Sequence, residues 1–198
     1  MNFIPSKCTV YCLEPDRAVP AWAPPQGLRV KAFEAADLDL HFAGDPQRQS
    51  TFRTFLGQGY RGVLVLDGAL WVGHAWLTLP GTPGPPHLPA WVGGAYPYWL
   101  FYAHTREAYR GRGIQKAMVQ WRLALITAPG GRRDRIYSDV RAGNVASRRA
   151  LLSQGFLPMG TLTSLALPVP FLGVYPLCHW DPGAQHPPLP GAVTQGEP

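Results

Sequence analysis

Residues Leu100–Trp121 read LFYAHTREAYRGRGIQKAMVQW. An apolar, strand-like run leads through Arg110-Gly111-Arg112-Gly113-Ile114-Gln115 into a segment whose Ile114, Ala117, Met118, Trp121 and Leu125 fall on one helical face. Glycines let a turn aim several backbone N–H groups in one direction, and a helix N-terminus adds partial positive charge. Strand, glycine-arginine loop and helix, in that order, make a cradle for phosphate oxygens with arginines beside it. The stretch points to a phosphorylated ligand.

Charge is distributed to match. The chain has 198 residues and a formal net charge of +6. Residues 1–99 hold seven Lys/Arg and seven Asp/Glu, whereas residues 100–198 hold eleven and five. The whole positive excess lies in the half that carries the loop, which suits an anionic cofactor. A nucleic-acid partner would call for a Lys-rich run, zinc spacing or a known binding motif, and none occurs. Three cysteines, Cys8, Cys12 and Cys178, do not make a disulfide framework, and Cys8 with Cys12 lacks the other two ligands of a structural zinc. No metal is expected. Met1–Lys7 is not a signal sequence and no stretch approaches the ~20 apolar residues of a membrane span, so a cytoplasmic protein without a membrane partner is expected.

Outward from the loop, the elements alternate. Lys7–Leu13 reads as an extra edge strand within an N-terminal extension, 1–27, and Leu28–Phe33 as a half-buried strand. Asp37–Phe42 and Pro46–Leu56 read as helices, the second with Asp45 as its N-cap and Pro46 at its first position. Gly62–Leu66 and Ala69–Leu79, joined by Asp67-Gly68, predict a hairpin. Pro80–Pro97 is a long Pro/Gly/aromatic loop, either a functional lid or a plain insertion. Tyr98–Thr105, the helix Gly113–Thr127 and Arg135–Val140 form a strand–helix–strand step that predicts two parallel strands. Asn144 caps a helix to Ser153, and Phe156–Leu167 and Val174–Trp180 are two further strands. The expected architecture is one α/β (α+β) domain over 1–180, followed by a disordered tail over 181–198.

Two segments, with this element order, resemble the GNAT superfamily of acyl-CoA-dependent N-acetyltransferases. Arg110-x-x-Gly113 is similar to the superfamily's pyrophosphate loop, Q/R-x-x-G-x-G/A, and Asp139-Val-Arg-Ala-Gly-Asn144, followed by Ser147 and Gly155-Phe156, matches its next strand and helix. The resemblance implies a mixed, mostly antiparallel central sheet with helices on both faces. It also implies acetyl-CoA, or another acyl-CoA, as acyl donor. Backbone N–H groups of Gly111, Arg112, Gly113, Ile114 and Gln115 would then hold the pyrophosphate, with Arg110 and Arg112 adding charge. Ala103 and Thr105 would pair with the pantetheine amides through the backbone, and Asn144 would hydrogen-bond the pantetheine arm as well as cap its helix. Arg106, Arg132, Arg133, Arg148 and Arg149 are candidates for the adenosine phosphate or plain solvated charges. The implied partner is a small-molecule or peptide amine, and a homodimer is left open.

The match is broken at three places. Gln115 replaces the last Gly/Ala of the loop, so its side chain must point away from the phosphates. Leu151 stands where many members have a Tyr that serves as general acid, and Trp99 where some carry a Glu base. Asp139 is the first candidate for the base, by similarity to ribosomal-protein alanine acetyltransferases; the alternative is that it pairs with Arg141 or caps local backbone. His104 is expected on the opposite strand face from Trp99, Ala103 and Thr105, hence as a packing residue, and His74 as a core histidine. Tyr96, Tyr98, Tyr175 and His179 could line an acceptor site. The reading is an N-acyltransferase acting by direct amine attack on a thioester. Its alternatives are a longer-chain or acyl-carrier-protein acyltransferase and a non-catalytic acyl-CoA sensor.

Overall fold

A computed structural model describes residues 6–15, 17–19, 21, 23–88, 98–127, 135–169 and 173–182. It contains strands β1 (Ser6–Leu13), β2 (Arg29–Ala32), β3 (Arg61–Asp67), β4 (Leu70–Leu77), β5 (Tyr98–Thr105), β6 (Ile136–Arg141), β7 (Leu157–Val169) and β8 (Gly173–Pro182). The helices are α1 (Ala36–Phe42), α2 (Pro46–Gly57), α3 (Ile114–Thr127) and α4 (Val145–Ser153). One eight-stranded sheet runs β2-β3-β4-β5-β6-β1-β7-β8. Every neighbouring pair is antiparallel except β5 and β6, the two strands flanking α3. The mixed sheet and the parallel step are as the sequence predicts.

One placement differs. β1 is not an edge strand: it lies between β6 and β7 and pairs with both, Val10 opposite Asp139 on one side and Gly160 on the other. Both sheet faces are covered at β1, Cys12 packing into the cluster under α1 and α2 and Tyr11 and Leu13 into the cluster under α3 and α4, so all three are buried in succession. β8 continues through Asp181 and Pro182, the first two residues of the expected tail.

The sheet is covered on both faces. On one, Phe42 of α1 and Phe52 and Phe55 of α2 pack with Phe33, Trp71 and Trp76. Asp45 fixes the entry to α2, its carboxylate accepting the Arg48 N–H at 3.0 Å. On the other face, Val119 and Leu123 of α3 and Leu151 of α4 pack with Leu77, Leu100 and Val140. Gly62 is required by packing, since a Cβ there would meet the Phe33 Cβ at 2.6 Å. No helix among the described residues is long and apolar enough to cross a membrane.

Candidate active site

β5 and β6 begin together and then part. Their pairing covers only Tyr98–Leu100 against Ile136–Ser138, and the Ser138 hydroxyl closes it by donating to the Leu100 carbonyl at 2.8 Å. Beyond that point β6 pairs only with β1. The divergence coincides with a bulge: His74 faces His104 and Trp76 faces Phe101, so β5 spends one more residue than β4. Tyr102, within the bulge, sits at φ +48°, an uncommon conformation for a residue with a side chain.

The bulge shifts the phase of the strand end. His104 lies on the same face as Trp99, not the opposite one: its ring stacks on His74 at 5.6 Å and lies 5.9 Å from Trp71. Thr105, opposite Gly73, turns instead to the α3 side, where a Cβ on Gly73 would touch Ile114. The expected grouping of Trp99 with Thr105 is therefore corrected. An alternation count cannot register an extra residue.

A cleft of about 840 Å³ fills the gap between the strand ends. Ala103 and Thr105 line it from β5, Arg110, Gly111, Gly113, Ile114 and Gln115 from the loop, and Arg141, Asn144 and Ser147 from the far side. Of the loop residues expected at the site, Arg112 alone does not line the cleft; its guanidinium lies 4.8 Å from the Tyr109 ring centroid. Gly111 and Gly113 adopt φ of +80° and +76°, and no protein atom lies within 4 Å of a Cβ built on either. The loop can thus turn its backbone into open space. α3 starts directly after it, and α4 starts across the cleft, capped by Asn144 Oδ1 accepting the Ser147 N–H at 3.1 Å. Each helix start leaves N–H groups without intrahelical partners and carries partial positive charge. Two such ends, with Arg110 and Arg141, give the cleft a positive lining. Gln115 reaches sideways, its amide nitrogen 3.4 Å from Ser147 Oγ, so its side chain bridges the two helix starts.

A second cavity, about 640 Å³, adjoins the first and shares Ala103, Gln115, Arg141, Asn144 and Ser147 with it. Leu151 lines it, as do Tyr102, Ser138, Asp139 and His87. Asp139 does not pair with Arg141. Its Oδ1 accepts the Trp99 indole N–H at 2.8 Å and lies 3.0 Å from His87 Nε2. Burial would raise the Asp139 pKa, but the hydrogen bond and charge of His87, with the bond from Trp99, outweigh it and hold the group below its ordinary value. Trp99, fully buried, is thus a second donor, after His87, that favours the ionised carboxylate.

Arg122 of α3 lies at the wall of the second cavity, donating to the Met118 and Trp76 carbonyls at 3.0 and 2.9 Å. Burial pushes its pKa down to about 9, so it stays charged at neutral pH. His74 is fully buried; desolvation, then the charges of His104 and Arg48, hold its pKa well below 6.5. Tyr98 and His179 line neither cavity, while Tyr96, Arg132 and Arg133 and the Tyr175 side chain lie outside the described parts. Arg106 lies over Trp71 at 4.0 Å, and Arg148 and Arg149 are exposed on α4. His87 escaped the sequence reading. It lies in a loop without periodicity, and its partner is 52 residues away.

No family model matches the sequence, and a search of curated proteins finds no relative. Solved structures do match. A GNAT-family protein from Novosphingobium aromaticivorans superposes with a TM-score of 0.55 at 20% identity over 82% of this chain and 64% of its own. A GCN5-related N-acetyltransferase from Sphaerobacter thermophilus gives 0.54 at 16% over 80% and 50%. The chain has the GNAT fold. A tandem GNAT protein from the clavulanic acid biosynthesis pathway matches at 0.54, 19% identity, over 77% and 50%. The chain spans between half and just under two thirds of these GNAT structures.

Proposed function

We propose that residues 1–180 form an acyl-CoA-dependent N-acyltransferase domain, moving acetyl from acetyl-CoA to a primary amine of a small molecule or peptide. The observation that carries this reading is the convergence of two helix starts and two positive-φ glycines on one cleft, directly beside the open edge of β5. The α3 start and Arg110 suit the pyrophosphate. The edge of β5 beyond Leu100, with no strand paired on the β6 side among the described residues, suits an extended chain of amides, as an added strand would use it. The second cavity shares five lining residues with the first and suits the acyl group and the acceptor.

The chain's own contribution is mostly placement. Holding amine and thioester together can supply about 7–11 kcal/mol of barrier reduction in favourable cases. Thiolate is a fair leaving group, and Arg122 and Arg141 provide positive charge around the second cavity. No standard acid is needed from Leu151.

Calorimetric titration with acetyl-CoA, coenzyme A and pantetheine tests the reading. Micromolar binding of the first two and far weaker binding of pantetheine, which lacks the pyrophosphate, is expected. Absence of acetyl-CoA binding, or equal binding of pantetheine, would overturn it.

A further inference from the structure

The missing base has a candidate that the sequence did not single out. His87 comes from the segment after β4 and lines the second cavity, and its side chain is 44% exposed. Asp139, with a side chain only 12% exposed, holds its Nε2. An ionised carboxylate accepts and cannot donate, so in the neutral imidazole Nε2 carries the proton and Nδ1 keeps its lone pair. A second donor, the Trp99 indole, fixes the same carboxylate oxygen from below. The Phe101 ring lies 6.4 Å from the imidazole. This is a histidine held in one tautomer by a buried acid that is itself held in place.

We propose that His87 is the general base for the acceptor amine and that Asp139 and Trp99 are its positioning residues. The inference rests on the acyltransferase reading above. An alkyl amine is mostly protonated at neutral pH and has no free lone pair until it loses a proton. His87 Nδ1 takes that proton. The freed nitrogen forms the C–N bond to the thioester carbonyl carbon as the C–S bond breaks. The sulfur leaves as thiolate and takes the proton that His87 holds, while the second nitrogen proton passes to solvent. The protonated amine and the thioester thus become amide, thiol and one proton released to solvent.

His104 is the rival imidazole and is less suited. Burial lowers its pKa first, and Arg48, Arg110 and Arg106 lower it further, so its imidazolium is disfavoured. It lines the phosphate end of the site and not the second cavity. The charged groups sharing that cavity with His87 are Asp139, Arg122 and Arg141 among the described residues.

Three readouts test the assignment. The first uses the protein alone: ¹⁵N side-chain NMR of His87 should show the Nε2–H tautomer in the wild type and a mixture in Asp139→Asn. The second is acetyl-CoA binding by calorimetry, which His87→Ala should leave within about twofold. The third is thiol release from acetyl-CoA with methylamine, a small protonated amine, compared with hydroxylamine, which is already unprotonated at neutral pH. His87→Ala should slow methylamine ~10²–10⁴-fold, the range of general-base contributions. Hydroxylamine should be slowed far less, and added imidazole should restore part of the methylamine rate. Equal slowing of both nucleophiles, an Nδ1–H tautomer, or a wild type that binds acetyl-CoA yet leaves methylamine at its solution rate would overturn the base. Failure to bind acetyl-CoA at all would instead overturn the acyltransferase reading.

Discussion

Gly113→Ala separates the loop's conformational demand from its ligand-binding role. Gly113 sits at φ +76°, and no protein atom lies within 4 Å of a Cβ built there. The folded chain therefore loses no packing, and the cost to stability is the left-handed backbone alone, about 1–2 kcal/mol. For a domain of this size that lowers Tm by roughly 2–8 °C. Binding should suffer separately. The new methyl enters the cleft that Gly113 lines, and alanine's pull toward negative φ tilts the N–H groups at the α3 start. Loss of one hydrogen bond to a charged oxygen costs about 1.5–3 kcal/mol, a roughly tenfold to hundredfold weaker Kd for acetyl-CoA. Thermal unfolding and calorimetric titration on the same preparation measure both. A variant with the lowered Tm but unchanged acetyl-CoA affinity would refute the assignment of the loop to the pyrophosphate.

Asn144→Ala removes the cap on α4 and should cost about 1 kcal/mol, read by urea unfolding, and should also weaken acetyl-CoA because the carboxamide lines the cleft. Trp99→Phe keeps a ring against Tyr137 but deletes the donor to ionised Asp139, a loss of about 1.5–3 kcal/mol at neutral pH by urea unfolding. Because the Asp139 pKa is lowered in the fold, its stabilisation is present above the unfolded value and lost as pH falls through the folded one. Asp139→Asn should flatten the acid side of the stability curve below about pH 4, measured by urea midpoints. His74 is likewise lowered, from 6.5, so the unfolded state gains a proton first and stability falls as pH drops below that value. The urea midpoint of the wild type should decline from pH 7 to 5 more steeply than that of His74→Phe.

What the sequence carried was local. Asp67-Gly68 announced a hairpin, whose turn falls one residue on at Gly68-Ala69; Asp45-Pro46 announced its helix start, and Arg110–Gln115 a glycine turn ahead of α3, because each depends on neighbouring residues. The inner position of β1 was hidden, since its partners lie more than 120 residues away on β6 and β7. The bulge at Tyr102 was hidden too. No glycine marks it, and it moves His104 to the other face. Trp99 looked like a lost base when read against the superfamily pattern. Its indole nitrogen faces Asp139 across the parallel step, a contact only the folded sheet creates. His87 gains meaning solely through that same carboxylate.

The central claim is that the cleft between the ends of β5 and β6 holds an acyl-CoA with its pyrophosphate on the start of α3. A crystal structure of the coenzyme A complex tests it most directly. The account predicts pyrophosphate oxygens within hydrogen-bonding distance of the backbone N–H groups of residues 113–115, and the pantetheine arm along β5 beyond Leu100. Coenzyme A bound elsewhere, or with its pyrophosphate away from that turn, would contradict it.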